Sequence, residues 1–165
     1  MNTTLSALAV VLCLFALCGC AGSQIESARS LGDIDLRQIL LDEVGVNVHA
    51  AEAVPLLAKA ARAGDSAAQV KLGRYTYLGM GVAANHAQAA TLFEQAAERG
   101  DHQGRYLLAV MLSLGDGLDR DFVSAYRLLT RVMSVGDRQS RDAAHLRGLI
   151  QAQMTPGELE LAGAG

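Results

Sequence analysis

A period of 36 residues constrains this chain more than any other feature of its sequence. Gly64-Asp65, Gly100-Asp101 and Gly136-Asp137 fall on it, as do Gly45-Val46, Gly81-Val82 and Gly117-Leu118. Leu36, Leu72 and Leu108 keep the same spacing, and so do Ala53, Ala89 and Ala125, with Leu56, Leu92 and Leu128 three residues further on. A repeat of this length marks a chain built from supersecondary units that cannot hide their apolar faces alone. Neighbouring units must therefore stack, each supplying the wall that the next one lacks.

The residues inside the period identify the unit. Gly64, Gly100 and Gly136 stand where a helix should end, because the residue after a helix adopts a left-handed conformation that glycine tolerates best. The Asp that follows each of them suits the N-cap of the next helix, where its carboxylate accepts backbone N–H bonds and meets the positive end of the helix dipole. Gly79-Met80-Gly81 and Gly115-Asp116-Gly117 break the first helix of a unit. Asn85-x-x-Gln88 then reads as a capping box that opens the second helix, and Asp121 takes the same cap in the following unit. Ala89, Leu92, Phe93, Ala96 and Ala97 recur at three and four residues, repeated by Ala125, Leu128, Leu129, Val132 and Met133. Composition agrees with helices over strands: 51% of residues are hydrophobic, yet there are only four Tyr, three Phe, two Pro and no Trp.

The spacing thus predicts an all-α row of stacked αα-hairpins, with units at about 28–63, 64–99 and 100–135 and a half unit at 136–153. Thr155-Pro156-Gly157-Glu158 combines an N-cap, a Pro at the first helical position and a Glu at the third, so a short capping helix is expected over 156–162. The first unit is the most divergent, with His49 at the capping position, as a terminal repeat should be.

The string Leu72-Gly73, Gly79-x-Gly81-Val82-x-x-Asn85-x-x-Gln88-Ala89-x-x-Leu92-x-x-Gln95-Ala96-Ala97-x-x-Gly100 resembles the Sel-one-like repeat, a relative of the tetratricopeptide repeat. The resemblance covers about 28–153, departing from the usual pattern at Thr76, Leu112, Asn85 and Leu92. It implies a right-handed α-solenoid in which the first helix of every hairpin lines a concave wall that receives segments of protein partners. On that geometry the partner-binding residues are Val70, Arg74, Tyr77, Leu78, Tyr106, Val110 and Ser113. Tyr and Arg are enriched in binding hot spots because each joins a large apolar body to a polar tip. The alternative is that the N-terminal or C-terminal helix shields these residues, or that they simply face water.

Ahead of the repeats, Leu5 to Leu17 form an uncharged 13-residue run, too short for a comfortable bilayer span and of the length of a secretory hydrophobic region. Leu17-Cys18-Gly19-Cys20 after it resembles the lipobox of bacterial lipoproteins. That resemblance implies a signal peptide at 1–19, lipidation of Cys20, a tether at 20–30 and a repeat domain at 31–165. Cys20 would then be the sole cysteine of the mature chain, since Cys13 and Cys18 lie in the segment removed. Three acyl chains hold a protein at a membrane almost permanently, at roughly 0.8 kcal/mol for each buried methylene. Ala21 is not the Asp that retains such proteins in the inner membrane, so the expected location is the outer membrane, facing the periplasm.

Other functions find little support. With 14 basic and 17 acidic residues, the chain lacks the positive surface that nucleic acid requires. His49, His86, His102 and His145 fall in separate units without metal-ligand spacing, and no serine sits in a nucleophile elbow. Gly79-Met80-Gly81 has neither the preceding strand nor the following Lys of a phosphate cradle. No catalytic residue, metal, cofactor or small-molecule substrate is therefore expected. The sequence reads as a scaffold for a protein partner, tethered through its lipid, or else as an accessory subunit or regulator of a cell-envelope enzyme or of polysaccharide export machinery.

Overall fold

The computed structural model describes residues 30–44, 50–133 and 138–164. The expected signal peptide, Cys20, most of the tether, Gly45-Val46, His49 and Gly136-Asp137 lie outside them. Among the described residues a 3-10 turn, Leu31–Asp33, precedes eight helices: α1 Leu36–Val44, α2 Ala50–Arg62, α3 Ser66–Leu78, α4 His86–Glu98, α5 His102–Leu114, α6 Phe122–Val132, α7 Arg138–Gln151 and α8 Pro156–Gly163. No strand occurs among the described residues.

The helices begin where the sequence supplies a cap. Asp65 Oδ1 accepts from the Ala68 N–H at 3.1 Å, and Asp101 Oδ1 accepts from Gln103 and Gly104 at 2.9 Å each. Asn85 accepts from Gln88 at 3.0 Å, opening α4. Asp121 accepts from both the backbone N–H of Ser124, at 3.0 Å, and its hydroxyl, at 2.6 Å. The Ser124 hydroxyl and then its backbone N–H hold the Asp121 carboxyl below its ordinary range, so the cap stays charged in the folded chain. Thr155 and Glu158 form a reciprocal box at the start of α8, with the Thr155 N–H donating to Glu158 Oε2 at 2.7 Å.

Helix α3 pairs with α4 and α5 with α6, while α4 rests on α5 and α6 on α7. Successive first helices, α3 with α5 and α5 with α7, also touch, which places them on the inner side of the row. Phe93, Leu107, Met111, Leu129, Leu146 and Ile150 are fully buried in one continuous core. Helix α8 makes its main contact with α6, and Arg127 of α6 donates to the Leu161 carbonyl.

The Gly-x-Gly turns join one unit to the next. A Cβ on Gly117 would stand 2.7 Å from the His86 carbonyl carbon, and one on Gly81 would stand 2.6 Å from the Ala51 nitrogen. Both contacts are with backbone at the start of the preceding unit's second helix, and both glycines have a positive φ, 73° and 71°. Conformation and close approach therefore demand glycine together. This accounts for their place on the period.

The first expected unit departs from the pattern. Helix α1 has its packing partner in α3 instead of closing a hairpin with α2, and the turn before it reaches α5 and α7. Leu31, Ile34, Leu36, Ile39 and Leu40 are all buried in the same core as the inner helices. Asp35 caps α1 by accepting from the Arg37 N–H at 3.0 Å. Residues 31–41 therefore run across the inner side of α3, α5 and α7, where a regular repeat would have left an open lane.

Candidate functional site

The inner lane is the candidate site, and its residues come from the first helices. Val70, Arg74, Tyr77 and Leu78 lie on α3, and Tyr106, Val110 and Ser113 on α5. Each of the seven keeps 8% or less of its surface. The expectation that they form an open wall is therefore corrected: they stand on the inner side, but α1 and the preceding turn already cover that side. Shielding by the N-terminal helix, one alternative open at the level of sequence, is the arrangement found. Ser113 is satisfied within its helix, its hydroxyl donating to the Val110 carbonyl at 2.7 Å.

The cover is incomplete at one end. Leu31, Gly32 and Ile34 of the N-terminal segment, Ser113 and Leu114 of α5, Arg120 and Gln153 line a cleft of about 340 Å³. Arg120 is the charged group at its rim, with its guanidinium 5.7 Å from the centre of the Phe122 ring.

At the C-terminal end of α3 a polar cluster fastens two units together. The Tyr77 hydroxyl donates to Asp116 Oδ2, and Asp116 Oδ1 lies 2.6 Å from His86 Nδ1. The Tyr77 and His86 rings stack with centroids 4.1 Å apart. Tyr77 ends the first helix of one unit, His86 begins its second helix, and Asp116 belongs to the turn of the next unit. Sequence reasoning singled out Tyr77 but not its two partners. In the sequence His86 stands out only as one of four histidines without metal-ligand spacing, and Asp116 as part of a turn. Met80 occupies the place of Asp116 one period earlier, so the cluster leaves no repeated trace. The signal that finds it is the docking of the Gly117 turn on the His86 backbone.

Burial pushes the Tyr77 phenol far above its ordinary value, and the Asp116 hydrogen bond and charge push the same way. Asp35 adds to this through its charge, and Arg37 opposes it. The phenol is thus held as a protonated donor, which suits a clasp and not a nucleophile or base. Because the folded state binds this proton more tightly than the unfolded chain does, the clasp contributes fully below the unfolded value of about 10, and its contribution is lost as pH rises beyond that. Urea midpoints measured across that range are expected to fall steeply for the wild type and less steeply for Tyr77→Phe. Equal slopes would deny the clasp its role. Among the described residues no three His, Cys, Asp or Glu side chains are grouped to hold a metal ion.

Comparison with known proteins adds to this geometry. The Sel1 repeat family matches residues 66–101 and 102–131, which span α3 with α4 and α5 with α6. No curated protein matches the chain. Among solved structures, the chain is similar to a protective antigen of uropathogenic Escherichia coli strains that displays an SLR fold, with a TM-score of 0.67 and 24% identity. That similarity covers 82% of this chain and 28% of the antigen, so the chain spans well under half of the longer protein. The period, the paired helices and these matches converge: residues 66–131 match two Sel1 repeats, within an all-helical solenoid.

Proposed function

We propose that this chain is a scaffold that holds a protein partner in the bacterial cell envelope, anchored through lipid on Cys20 to the outer membrane and facing the periplasm. The observation that carries the reading is the inner lane itself, which holds an apolar helical segment, Leu31–Val44, against three successive repeats. Such a surface recognises another protein by shape and apolar spacing, and asks for no cofactor. Lipid anchoring would raise the effective concentration of the scaffold for partners at the same membrane. No described helix is long and apolar enough to cross a membrane.

The anchor and the partner are tested separately. Growth with a labelled fatty acid should mark the wild-type chain and leave Cys20→Ser unmarked, whereas equal labelling would remove the anchor. For the partner, a photo-crosslinking residue placed at Arg120 or Gln153, both exposed and lining the cleft at the open end of the lane, should give one discrete adduct in intact cells. Smears or no adduct from either position would count against the scaffold. Replacing Tyr77 and Tyr106 with Ala does not serve this purpose, because both rings are buried and their loss opens cavities whether or not a partner binds.

A further inference from the structure

The segment Leu31–Val44 has the features of a bound ligand more than those of a repeat. A repeat helix extends the row by pairing with its own partner and with the next unit, as α3 and α5 do. Helix α1 instead lies against α3 while its preceding turn reaches α5 and α7, so the segment crosses the units. Its would-be partner α2 packs on α3 without it, and Leu56 on α2 is left 72% exposed. The segment presents one apolar edge, Leu31, Ile34, Leu36, Ile39 and Leu40, to the lane, while Asp33, Asp35 and Arg37 face water. An amphipathic helix laid in a groove by such anchors is a recurring way for one protein to recognise another.

We infer that Leu31–Val44 is an intramolecular plug occupying the site where the scaffold receives a short amphipathic helix of its partner together with the turn before it, a segment with the same apolar spacing. This rests on the scaffold reading and names the class of partner. The plug and the partner helix compete for one surface. The chain is therefore closed until a competing helix displaces residues 31–44, and the apparent affinity for that helix is lowered by the fraction of chains that remain plugged.

The test uses the full chain with a specific protease site placed within residues 45–49, between the plug and α2. The probe is a fluorescent peptide of the sequence Ser30 to Val44. After cleavage, with both pieces still present, the peptide should exchange into the lane, and the uncut chain should bind it about a hundredfold more weakly. A peptide carrying Leu36→Asp and Leu40→Asp should not exchange. Since the inserted site could itself disturb folding, the same peptide is also offered to the uncut chain carrying Leu36→Asp and Leu40→Asp, which should bind it as the cleaved chain does. Loss of helicity beyond the nine residues of α1 when the plug leaves, or a folded lane that ignores the peptide in both forms, would overturn the inference by showing the segment to be a fixed part of the core. A discrete crosslink in cells from a chain whose plug cannot be displaced would keep the scaffold and remove the plug, so the two failures are distinguishable.

Discussion

Phe93→Ala is expected to lower the stability of the folded chain by about 3–5 kcal/mol, the cost of removing a large buried ring when the surroundings relax only in part. Phe93 is fully buried on α4, and its ring fills the place a side chain at position 73 would take. A Cβ built on Gly73 would lie 2.6 Å from it. The Phe93 carbonyl also lies 3.1 Å from where a Cβ on Gly104 of α5 would stand, so the residue sits between two successive units. In a stack held by contacts between neighbours, a hole at an inner joint weakens the pairing on both sides. With roughly 5–15 kcal/mol available to a domain of ordinary stability, this loss is a large fraction. Urea unfolding followed by circular dichroism measures it. A change under about 1 kcal/mol, the size of an ordinary substitution, would show that the joint is not where the stack is held.

Gly117→Ala is the second large effect, at roughly 2–4 kcal/mol, from a left-handed conformation forced on a residue with a Cβ and from that Cβ meeting backbone. The control is Gly115→Ala. Gly115 has the same φ, 73°, but a Cβ there would meet nothing nearer than the Arg120 Cβ at 3.4 Å. The conformational cost is common to both positions, so the difference between them reads the close approach of turn to helix. Gly81→Ala should behave like Gly117→Ala, since it presses on Ala50 and Ala51 in the preceding joint. If Gly115→Ala and Gly117→Ala prove equal, the turns merely reverse the chain and do not bind the units together.

The period made the hairpins legible because each signal is local: Asp65, Asp101, Asn85 and Asp121 cap helices within three residues of themselves. It could not show which neighbour a helix chooses. Leu36 keeps step with Leu72 and Leu108, so the sequence presents it as the first helix of a hairpin, whereas apolar contact with α3 draws it into the lane instead. Spacing puts the seven lane residues on the first helices, α3 and α5, but it does not show their burial, which depends on a segment far away in the chain. The Tyr77, His86 and Asp116 cluster escaped because it joins two units through a residue that the preceding turn replaces with Met80. Non-local contacts made once, and not repeated, leave no periodic trace.

The account turns on whether residues of the chain itself fill the inner lane. Hydrogen exchange of the intact protein measures this helix by helix, since amides in a docked helix are slowed and those in an undocked one are not. Slow exchange is expected for α3, α4, α5 and α6 as a block, with the amides of Leu40 and Leu41 in α1 protected to a lesser but clear degree. Full protection of the block with α1 exchanging as freely as an unfolded peptide would contradict the account, because the lane would then stand open.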